Sequence, residues 1–115
     1  MTGLNITSSE LPSGWHCLAV TGEIDLATVP ELEGAIDSIL GGDTQSLVVD
    51  LRETSFMDST GLKALVMAHR RFDETGRQFA IAVSGGPVSR LIDLSGVEGS
   101  MRVVETIEGL EKSPA

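Results

Sequence analysis

The chain has 115 residues, of which 41% are hydrophobic, and this size suits one compact domain with its own core. Seventeen acidic residues against eight basic ones give a formal net charge of −9, which repels phosphate backbones and anionic lipid. No apolar run approaches the roughly 20 residues that a membrane span needs, and residues 1–14 lack the basic and apolar regions of a secretory signal. We therefore expect a cytoplasmic protein without nucleic-acid or membrane partners.

The first part of the chain predicts two strands and a helix. Residues 4–11 (LNITSSEL) alternate weakly between apolar and polar, which is typical of an edge strand, whereas residues 15–22 (WHCLAVTG) are almost continuously apolar, as in a central strand. Apolar residues then recur with a period of 3.6 over residues 28–40 (TVPELEGAIDSIL), which predicts a helix. Thr28 and Glu31 have the spacing of a capping box, in which Thr28 caps this helix and Glu31 reaches back.

The middle of the chain predicts a buried strand followed by the longest helix. Residues 46–51 (SLVVDL) are almost all apolar, as expected of a strand that is covered on both faces. Residues 59–76 (STGLKALVMAHRRFDETG) have a helical period and end at a glycine. The predicted buried stripe of this helix comprises Leu62, Leu65, Val66, His69 and Phe72.

The last part predicts a strand at 78–83 (QFAIAV), a helix at 85–96 (GGPVSRLIDLSG) and a short strand at 101–104 (MRVV). A fourth, short helix is predicted at 106–112 (TIEGLEK), and the final residues, 113–115, are expected to fray. The pattern is that of one continuous domain, without repeats or linkers.

The order of these elements predicts an α/β fold with a single mixed, mostly parallel sheet of about five strands and about four helices, joined by right-handed crossovers. The single domain is expected to span residues 1–115, with its core at about 4–110. In such sheets, functional groups gather beyond the carboxyl ends of the parallel strands. Two acidic segments fall there, 22–25 (GEID) and 56–61 (FMDSTG), and we expect them to face each other.

The second of these segments carries a hydroxyl that suits regulation by phosphorylation. If Asp58 or Ser59 caps the long helix, the Ser59 hydroxyl lies beside unpaired N–H groups and the positive end of the helix dipole. A phosphate adds about −1.5 to −2 charges at pH 7, so it would change the local field without unfolding the core. An ordinary helix cap explains the same Asp-Ser-Thr spacing, and the two roles are compatible.

The sequence does not favour catalysis by Ser59. A nucleophile elbow requires Gly-x-Ser-x-Gly, but Met57 occupies the position two residues before Ser59. His69 lies ten residues further along the same helix, roughly 15 Å away at about 1.5 Å per residue, so it cannot act as the base. We interpret His69, and His16 in its strand, as packed and hydrogen-bonded core histidines. The protein is therefore not expected to be an enzyme.

Metal and cofactor sites are not expected either. Cys17, the single cysteine, lies in an apolar run and is interpreted as a buried thiol in a reducing compartment. One cysteine and two histidines match no zinc spacing. Acidic residues at strand ends are usually solvated, but four of them could hold a hard cation: Glu23, Asp25, Asp50 and Asp58.

Three segments in order along the chain resemble a known family. Residues 22–36 (GEIDLATVPELEGAI), 47–62 (LVVDLRETSFMDSTGL) and 85–97 (GGPVSRLIDLSGV) are similar to the STAS domain of bacterial anti-sigma factor antagonists. The resemblance covers roughly residues 15–110. It implies a STAS-like fold and a role in partner switching, in which the antagonist binds an anti-sigma factor and thereby frees a sigma factor.

In that family, the serine that follows the aspartate of Asp-Ser-x-Gly is phosphorylated by an anti-sigma factor that is also a serine kinase. The resemblance thus implies that Ser59 is the phosphoacceptor, with Thr60 as a less favoured substitute. Phosphorylation ends binding to the anti-sigma factor, and a metal-dependent serine phosphatase resets the protein. The partner surface that we expect on this basis comprises Glu23, Asp25, Met57, Asp58, Ser59, Thr60 and Gly61.

One departure from the family and two other functions stay open at this point. Lys63 stands where these proteins often have a small residue, and it could pair with a phosphate on Ser59 or point to solvent. The domain could be a non-switching STAS scaffold or ligand-binding module in which Ser59 serves only as a cap. A receiver-like domain phosphorylated on an aspartate is a further alternative, although no paired acidic residues follow the first strand.

Overall fold

The computed structural model describes residues 3–108 and 110, and in this part of the chain it contains six strands and three α-helices arranged as a mixed α/β fold. In chain order the elements are β1 (Asn5–Glu10), β2 (His16–Ile24), α1 (Val29–Leu40), β3 (Ser46–Asp50), β4 (Thr54–Met57), α2 (Ser59–Glu74), β5 (Gln78–Ala82), α3 (Gly86–Ser95) and β6 (Arg102–Val104). A single 3₁₀ turn at Val97–Gly99 joins α3 to β6. None of these helices is both long enough and apolar enough to cross a bilayer.

The sheet has the strand order β1-β2-β3-β5-β6, with β1 antiparallel to β2 and the other neighbours parallel. This arrangement confirms β1 as an edge strand. The long strand β2 is divided between two partners, because His16–Ala19 pair with β3 whereas Gly22–Ile24 pair with β4. A change of register between Gly22 and Glu23 separates the two parts. The carboxyl ends of β2 and β4 therefore lie side by side.

Strand β4 was missed at the sequence level, so the predicted count of about five strands is one too low. It has only four residues, two of them exposed, and it lies directly before α2. A segment this short carries too few alternations to reveal a period of two. Its Thr54 hydroxyl donates a hydrogen bond of 2.8 Å to the carbonyl of Val20, which fixes β4 against β2.

The predicted fourth helix is not present among the described residues. Residues 106–108 and 110 form turn and irregular structure, while residues 109 and 111–112 of that segment, and the tail expected to fray at 113–115, lie outside the described part. The short segment packs on the sheet instead, since Leu110 is buried and Ile107 is half-buried. A single turn of helix is intrinsically unstable, and tertiary packing decides the conformation of such a segment.

The two faces of the sheet are covered very differently. All three helices contribute to one core cluster, together with alternate residues of β2, β3 and β5. The opposite face has a smaller cluster, against which Leu11, Val104 and Ile107 pack. Its buried members are Trp15, Cys17, Val48, Ala80, Ala82 and Leu110. Cys17 is buried there, as predicted, and burial raises the pKa of its thiol, with Asp50 adding to the rise and Arg52 opposing it.

The capping box predicted for α1 is wrong. The Thr28 hydroxyl donates to the carbonyl of Glu23 over 2.7 Å and makes no cap hydrogen bond to its own helix. The Glu31 carboxylate instead accepts a hydrogen bond of 3.1 Å from the backbone N–H of Leu4. Both side chains thus join α1 to preceding segments rather than to each other.

The buried stripe of α2 is centred differently from the prediction. Its buried residues are Gly61, Ala64, Leu65, Ala68 and Phe72. Leu62, Val66 and His69 are only half-buried, so the small residues Gly61, Ala64 and Ala68 form the contact face and bring the helix close to the sheet.

Neither histidine matches the predicted hydrogen-bonded core environment in full. The ring of His69 packs against Phe79 with centroids 6.3 Å apart, but its buried Nδ1 has no hydrogen-bond partner among the described residues. His16 is half-buried and shares a hydrogen bond with the Ser8 hydroxyl on the neighbouring strand β1. His16 is therefore a half-buried residue of β2 that contacts the edge strand β1, rather than a core residue.

Candidate phosphorylation site and partner surface

The two acidic segments lie next to each other at the carboxyl ends of β2 and β4. Ile24 and Met57 are paired across these strands, and the backbone N–H of Asp58 donates a hydrogen bond of 3.1 Å to the carbonyl of Ile24. Asp25 and Asp58 are the residues that directly follow this pair. The expected arrangement of the two segments is thus present, and it depends on β4.

Asp58 is the N-cap of α2. Its Oδ1 accepts hydrogen bonds from the backbone N–H groups of Thr60 at 2.9 Å and Gly61 at 3.3 Å, and also from the Thr60 hydroxyl. The pKa of Asp58 lies below its ordinary value, chiefly because the Thr60 hydroxyl donates to it; partial desolvation opposes this effect and the two backbone groups reinforce it. Asp58 is therefore held as a charged, structurally engaged carboxylate.

Ser59 is the first residue of α2 and is exposed. Because Asp58 provides the cap, Ser59 is not the N-cap of α2. The Ser59 hydroxyl makes no hydrogen bond within the described part of the chain, whereas the neighbouring Thr60 is half-buried and its hydroxyl is committed to Asp58. Of the two hydroxyls, only that of Ser59 is both accessible and uncommitted.

Asp25 organises the loop between β2 and α1. Its Oδ1 accepts hydrogen bonds from the backbone N–H groups of Ala27 at 3.0 Å and Thr28 at 3.1 Å, and its own N–H donates to the Thr28 hydroxyl at 3.0 Å. Asp25 is half-buried and Glu23 beside it is exposed. The loop is thus held by a dense local network, with Glu23 free to face a partner.

Two residues of the expected partner surface lie beneath it. Met57 is 4% exposed, and Gly61 is buried. A Cβ atom on Gly61 would lie 2.6 Å from Cγ of Met57 and 2.7 Å from Cγ2 of Ile24, so a side chain cannot be added there without displacing these neighbours. Gly61 thus lets the first turn of α2 approach β2 and β4, which fixes the position of Ser59.

A groove between α1 and α2 extends from this site, and sequence reasoning missed it. It has a volume of about 370 Å³ and is lined on the α1 side by Leu26, Val29 and Glu33 and on the α2 side by Thr60, Lys63 and Met67. Lys63 and Met67 follow Ser59 at intervals of four residues, which places the three on one face of α2. A search for residues four positions apart that starts at Ser59, instead of at the buried stripe of α2, finds this face and could have revealed the groove from the sequence.

The four acidic residues considered for a cation do not form one group. Asp50 is paired with Arg52, whose Nε lies 2.9 Å from Oδ1 and whose Nη2 lies 3.1 Å from Oδ2 of the carboxylate. Asp25 and Asp58 are engaged in the loop and the helix cap described above. Over residues 3–108 and 110, no three histidine, cysteine, aspartate or glutamate side chains come together as metal ligands would.

Comparison with known proteins establishes the family. The family model described as the STAS domain matches residues 9–110, so the chain belongs to the STAS domain family. The anti-sigma-F factor antagonist RsfB of Mycobacterium tuberculosis is 32% identical over 95 residues, which cover 83% of this chain and 77% of RsfB. The anti-sigma-B factor antagonist of Staphylococcus aureus is 33% identical over 89 residues, which cover 77% of this chain and 82% of that protein.

Solved structures agree with this assignment. The structure of an anti-sigma factor antagonist from Mycobacterium paratuberculosis superimposes with a TM-score of 0.83 at 29% identity, covering 91% of this chain and 88% of the other. The unphosphorylated form of the anti-sigma factor antagonist SpoIIAA has a TM-score of 0.68 at 16% identity, covering 90% and 91% of the two chains, and so shares the fold. The mixed sheet with helices on one face is therefore the fold of this family.

Proposed function

We propose that the protein is an anti-sigma factor antagonist whose binding to an anti-sigma factor is switched off by phosphorylation of Ser59. The observation that carries the proposal is the exposed, uncommitted Ser59 hydroxyl at the first position of α2. The names of the relatives that are 32% and 33% identical to this chain support the class of partner. The unmodified protein binds the anti-sigma factor and frees a sigma factor in the cytoplasm, without catalysing a reaction itself.

The anti-sigma factor in this proposal is also the serine kinase that modifies Ser59, and a metal-dependent serine phosphatase restores the free hydroxyl. Thr60 is a poorer acceptor, because its hydroxyl would have to leave Asp58 before it could react. The binding surface comprises the exposed or half-buried Glu23, Asp25, Asp58, Ser59 and Thr60. Met57 and Gly61 support this surface from below.

The switch follows from the charges that already surround Ser59. A phosphate there adds about −1.5 to −2 charges beside Asp58, and any partner carboxylate that approaches the neutral hydroxyl would then be repelled. Two unit charges about 4 Å apart interact by roughly 1 kcal/mol in water and about 4 kcal/mol at an effective dielectric constant of about 20. Since about 1.4 kcal/mol changes affinity tenfold, one such repulsion can release the partner while the fold stays intact.

A receiver-like domain phosphorylated on an aspartate receives less support. Asp25 and Asp58 each use Oδ1 to hold a loop or a helix cap. Among the described residues, no three acidic side chains come together to hold the magnesium ion that such a phosphorylation uses. Chemical stability distinguishes the two kinds of modification, because phosphoserine survives hydroxylamine and an acyl phosphate does not.

The test uses purified anti-sigma factors that are encoded in the same genome as this chain. Each is incubated with the protein and Mg-ATP, and mass spectrometry then locates any phosphate. We expect modification of Ser59 in the wild type and none in Ser59→Ala. By calorimetry, Ser59→Ala should bind the same anti-sigma factor as the wild type does, whereas Ser59→Asp should bind at least about tenfold more weakly.

Two results would contradict the proposal. Tight binding by Ser59→Asp, equal to that of the wild type, would remove the electrostatic account of the switch. Phosphate on Thr60 or on an aspartate, with Ser59 unmodified, would assign the switch to another group.

A further inference from the structure

We propose that the groove between α1 and α2 is the docking site for an amphipathic helix of the anti-sigma factor, which inserts apolar side chains between Leu26 and Met67. The inference rests on the proposed function, and it adds a second contact region beyond the strand ends around Ser59. The occupant presents a basic side chain toward α1 and an acidic side chain toward α2.

The groove is flanked by large apolar side chains that are exposed. Among the described residues, four such side chains are exposed, and two of them line this one groove: Leu26, which is 75% exposed, and Met67, which is 46% exposed. Isolated apolar residues are common on protein surfaces, but two that flank one concave surface next to a candidate modification site form a binding feature. Burial of both would give a partner its main apolar contact.

The groove is long enough to accommodate a helix. It is continuous with a second depression of about 290 Å³ that shares Glu33, Ala64 and Met67 and ends at the Arg71 side chain. From Thr60 to Arg71 the groove runs about 17 Å along α2, at about 1.5 Å per residue, which is about three helical turns. A third helix packs readily between two helix surfaces, so the groove fits an amphipathic helix of about this length.

The groove also carries charged side chains, some of which are unpaired. At the far end of the groove, Arg71 is paired with Asp37, so these two charges satisfy each other. Glu33 on α1 and Lys63 on α2 also line the groove, and neither has an ion-pair partner within the described residues. A partner helix that carries a cation on one flank and an anion on the other would satisfy both. This polarity would also fix the direction in which the helix lies.

The groove is continuous with the proposed phosphorylation site at Ser59. Thr60 lines the same groove, and Lys63 lies one helical turn from Ser59. A partner helix in the groove therefore ends beside the Ser59 hydroxyl. This proximity explains how a single modification at the end of the groove could disturb the whole contact. It also places the partner within reach of the residue that it is proposed to modify.

The test measures binding of the anti-sigma factor that wild-type protein binds in the preceding experiment. Leu26→Asn and Met67→Gln should each weaken binding by about tenfold or more, because each removes the burial of one large apolar side chain. Leu94→Asn is the matched control, since Leu94 is 80% exposed on α3 and lies outside the groove. The control should bind as the wild type does, and all three variants should keep the wild-type melting temperature.

A second pair of variants separates a specific contact from the general effect of net charge. Glu33→Lys and Glu74→Lys both raise the net charge by two, but Glu74, at the end of α2, does not line the groove. Glu33→Lys should weaken binding by at least about tenfold, and Glu74→Lys by less than about twofold. Equal effects of the two would show that long-range charge, rather than a contact in the groove, controls binding.

The possible outcomes distinguish the two proposals. If wild-type protein binds an anti-sigma factor and the Leu26 and Met67 variants bind as tightly as Leu94→Asn, the groove is not the docking site, and the function stands. If wild-type protein binds none of the anti-sigma factors, both proposals fall. Self-association of the wild type that Leu26→Asn abolishes would identify a second copy of this chain as the occupant, which also overturns the proposal.

Discussion

Helices α1 and α2 both begin close after an aspartate, but the two aspartates act in different ways. Asp25 accepts hydrogen bonds from backbone N–H groups of the loop before α1, and the Thr28 hydroxyl in that loop bridges Glu23 and Asp25. Asp58 caps α2 directly and also holds the hydroxyl of Thr60. The only hydroxyl at either helix start that stays uncommitted among the described residues is that of Ser59.

The uncommitted Ser59 hydroxyl thus lies beside charges that are held in place. The carboxylates of Asp25 and Asp58 and the hydroxyls of Thr28 and Thr60 are engaged in local structure and so are held in position. Ser59 is attached to this rigid frame but contributes no hydrogen bond to it. The frame and the Ser59 side chain can therefore be tested separately, by substitutions that should have very different effects on stability.

The largest effect is expected from the glycines of the two helices. Gly61→Ala should lower the free energy of unfolding by about 3 kcal/mol, because its Cβ would overlap Met57 and Ile24. Gly34→Ala on α1 has no atom within 4 Å of the new Cβ and should raise the free energy of unfolding by about 0.5–1 kcal/mol. Urea denaturation followed by circular dichroism measures both. Equal stability of the two variants would mean that α2 does not require the close approach at Gly61.

The next largest effect is expected at Thr28. Thr28→Val keeps the shape of this buried side chain but leaves the Glu23 carbonyl and the Asp25 N–H without their hydroxyl partner, which should cost about 2 kcal/mol. Thr60→Val removes one hydrogen bond from a half-buried hydroxyl and should cost about 1 kcal/mol or less. Chemical denaturation of the two variants tests this order. A larger loss of unfolding free energy for Thr60→Val than for Thr28→Val would contradict it.

A smaller, pH-dependent effect is expected at Asp58. Asp58→Ala should lower the free energy of unfolding by about 1 kcal/mol at pH 7, and Asp58→Asn by less, since asparagine also caps helices. The pKa of Asp58 is lower in the folded than in the unfolded protein, so its contribution is complete above the unfolded value of about 3.9 and is lost as the pH falls through the folded value. The stability difference between wild type and Asp58→Ala should thus narrow below about pH 4. A difference that stays constant down to pH 2 would contradict this assignment.

The smallest effect is expected at Ser59. Ser59→Ala should change the free energy of unfolding by less than about 0.5 kcal/mol, because the side chain is exposed. Ser59→Asp places a negative charge at the start of α2 and should be neutral or stabilising by about 0.3–1 kcal/mol. Thermal melts of both variants provide the measurement. A loss above about 1 kcal/mol in either would show that Ser59 is part of the frame after all.

Much of the fold could be predicted because its longer elements carry clear periods. The three helices and the five strands that were predicted and are present agree with the structure to within two residues at each end. Strand β4 could not be predicted because four residues between a loop and a helix show no period. The segment at 106–112 has helical composition, but the fit of Ile107 and Leu110 against the sheet decides its conformation among the described residues.

The start of α2 was predictable from the sequence, but the role of each residue there was not. The sequence identifies Asp58 and Ser59 as the start of α2, yet only the geometry shows that Asp58 takes the cap and leaves Ser59 free. Met57 and Gly61 lie next to Ser59 in the sequence, and their burial follows from the pairing of β4 with β2. Leu26 and Met67 are 41 positions apart in the chain and meet only because α1 and α2 lie together.

The position of Trp15 has a practical consequence. It is the only tryptophan in the chain, and it lies fully buried on the sheet face against which Ile107 and Leu110 pack. Nine residues of β2 separate it from the strand end beside Ser59, a distance of about 30 Å at about 3.3 Å per residue. Its fluorescence emission is thus an intrinsic reporter of the scaffold, remote from the proposed phosphorylation site at Ser59. Emission that is unchanged after kinase treatment would show that the proposed phosphorylation of Ser59 leaves the scaffold around Trp15 as it is.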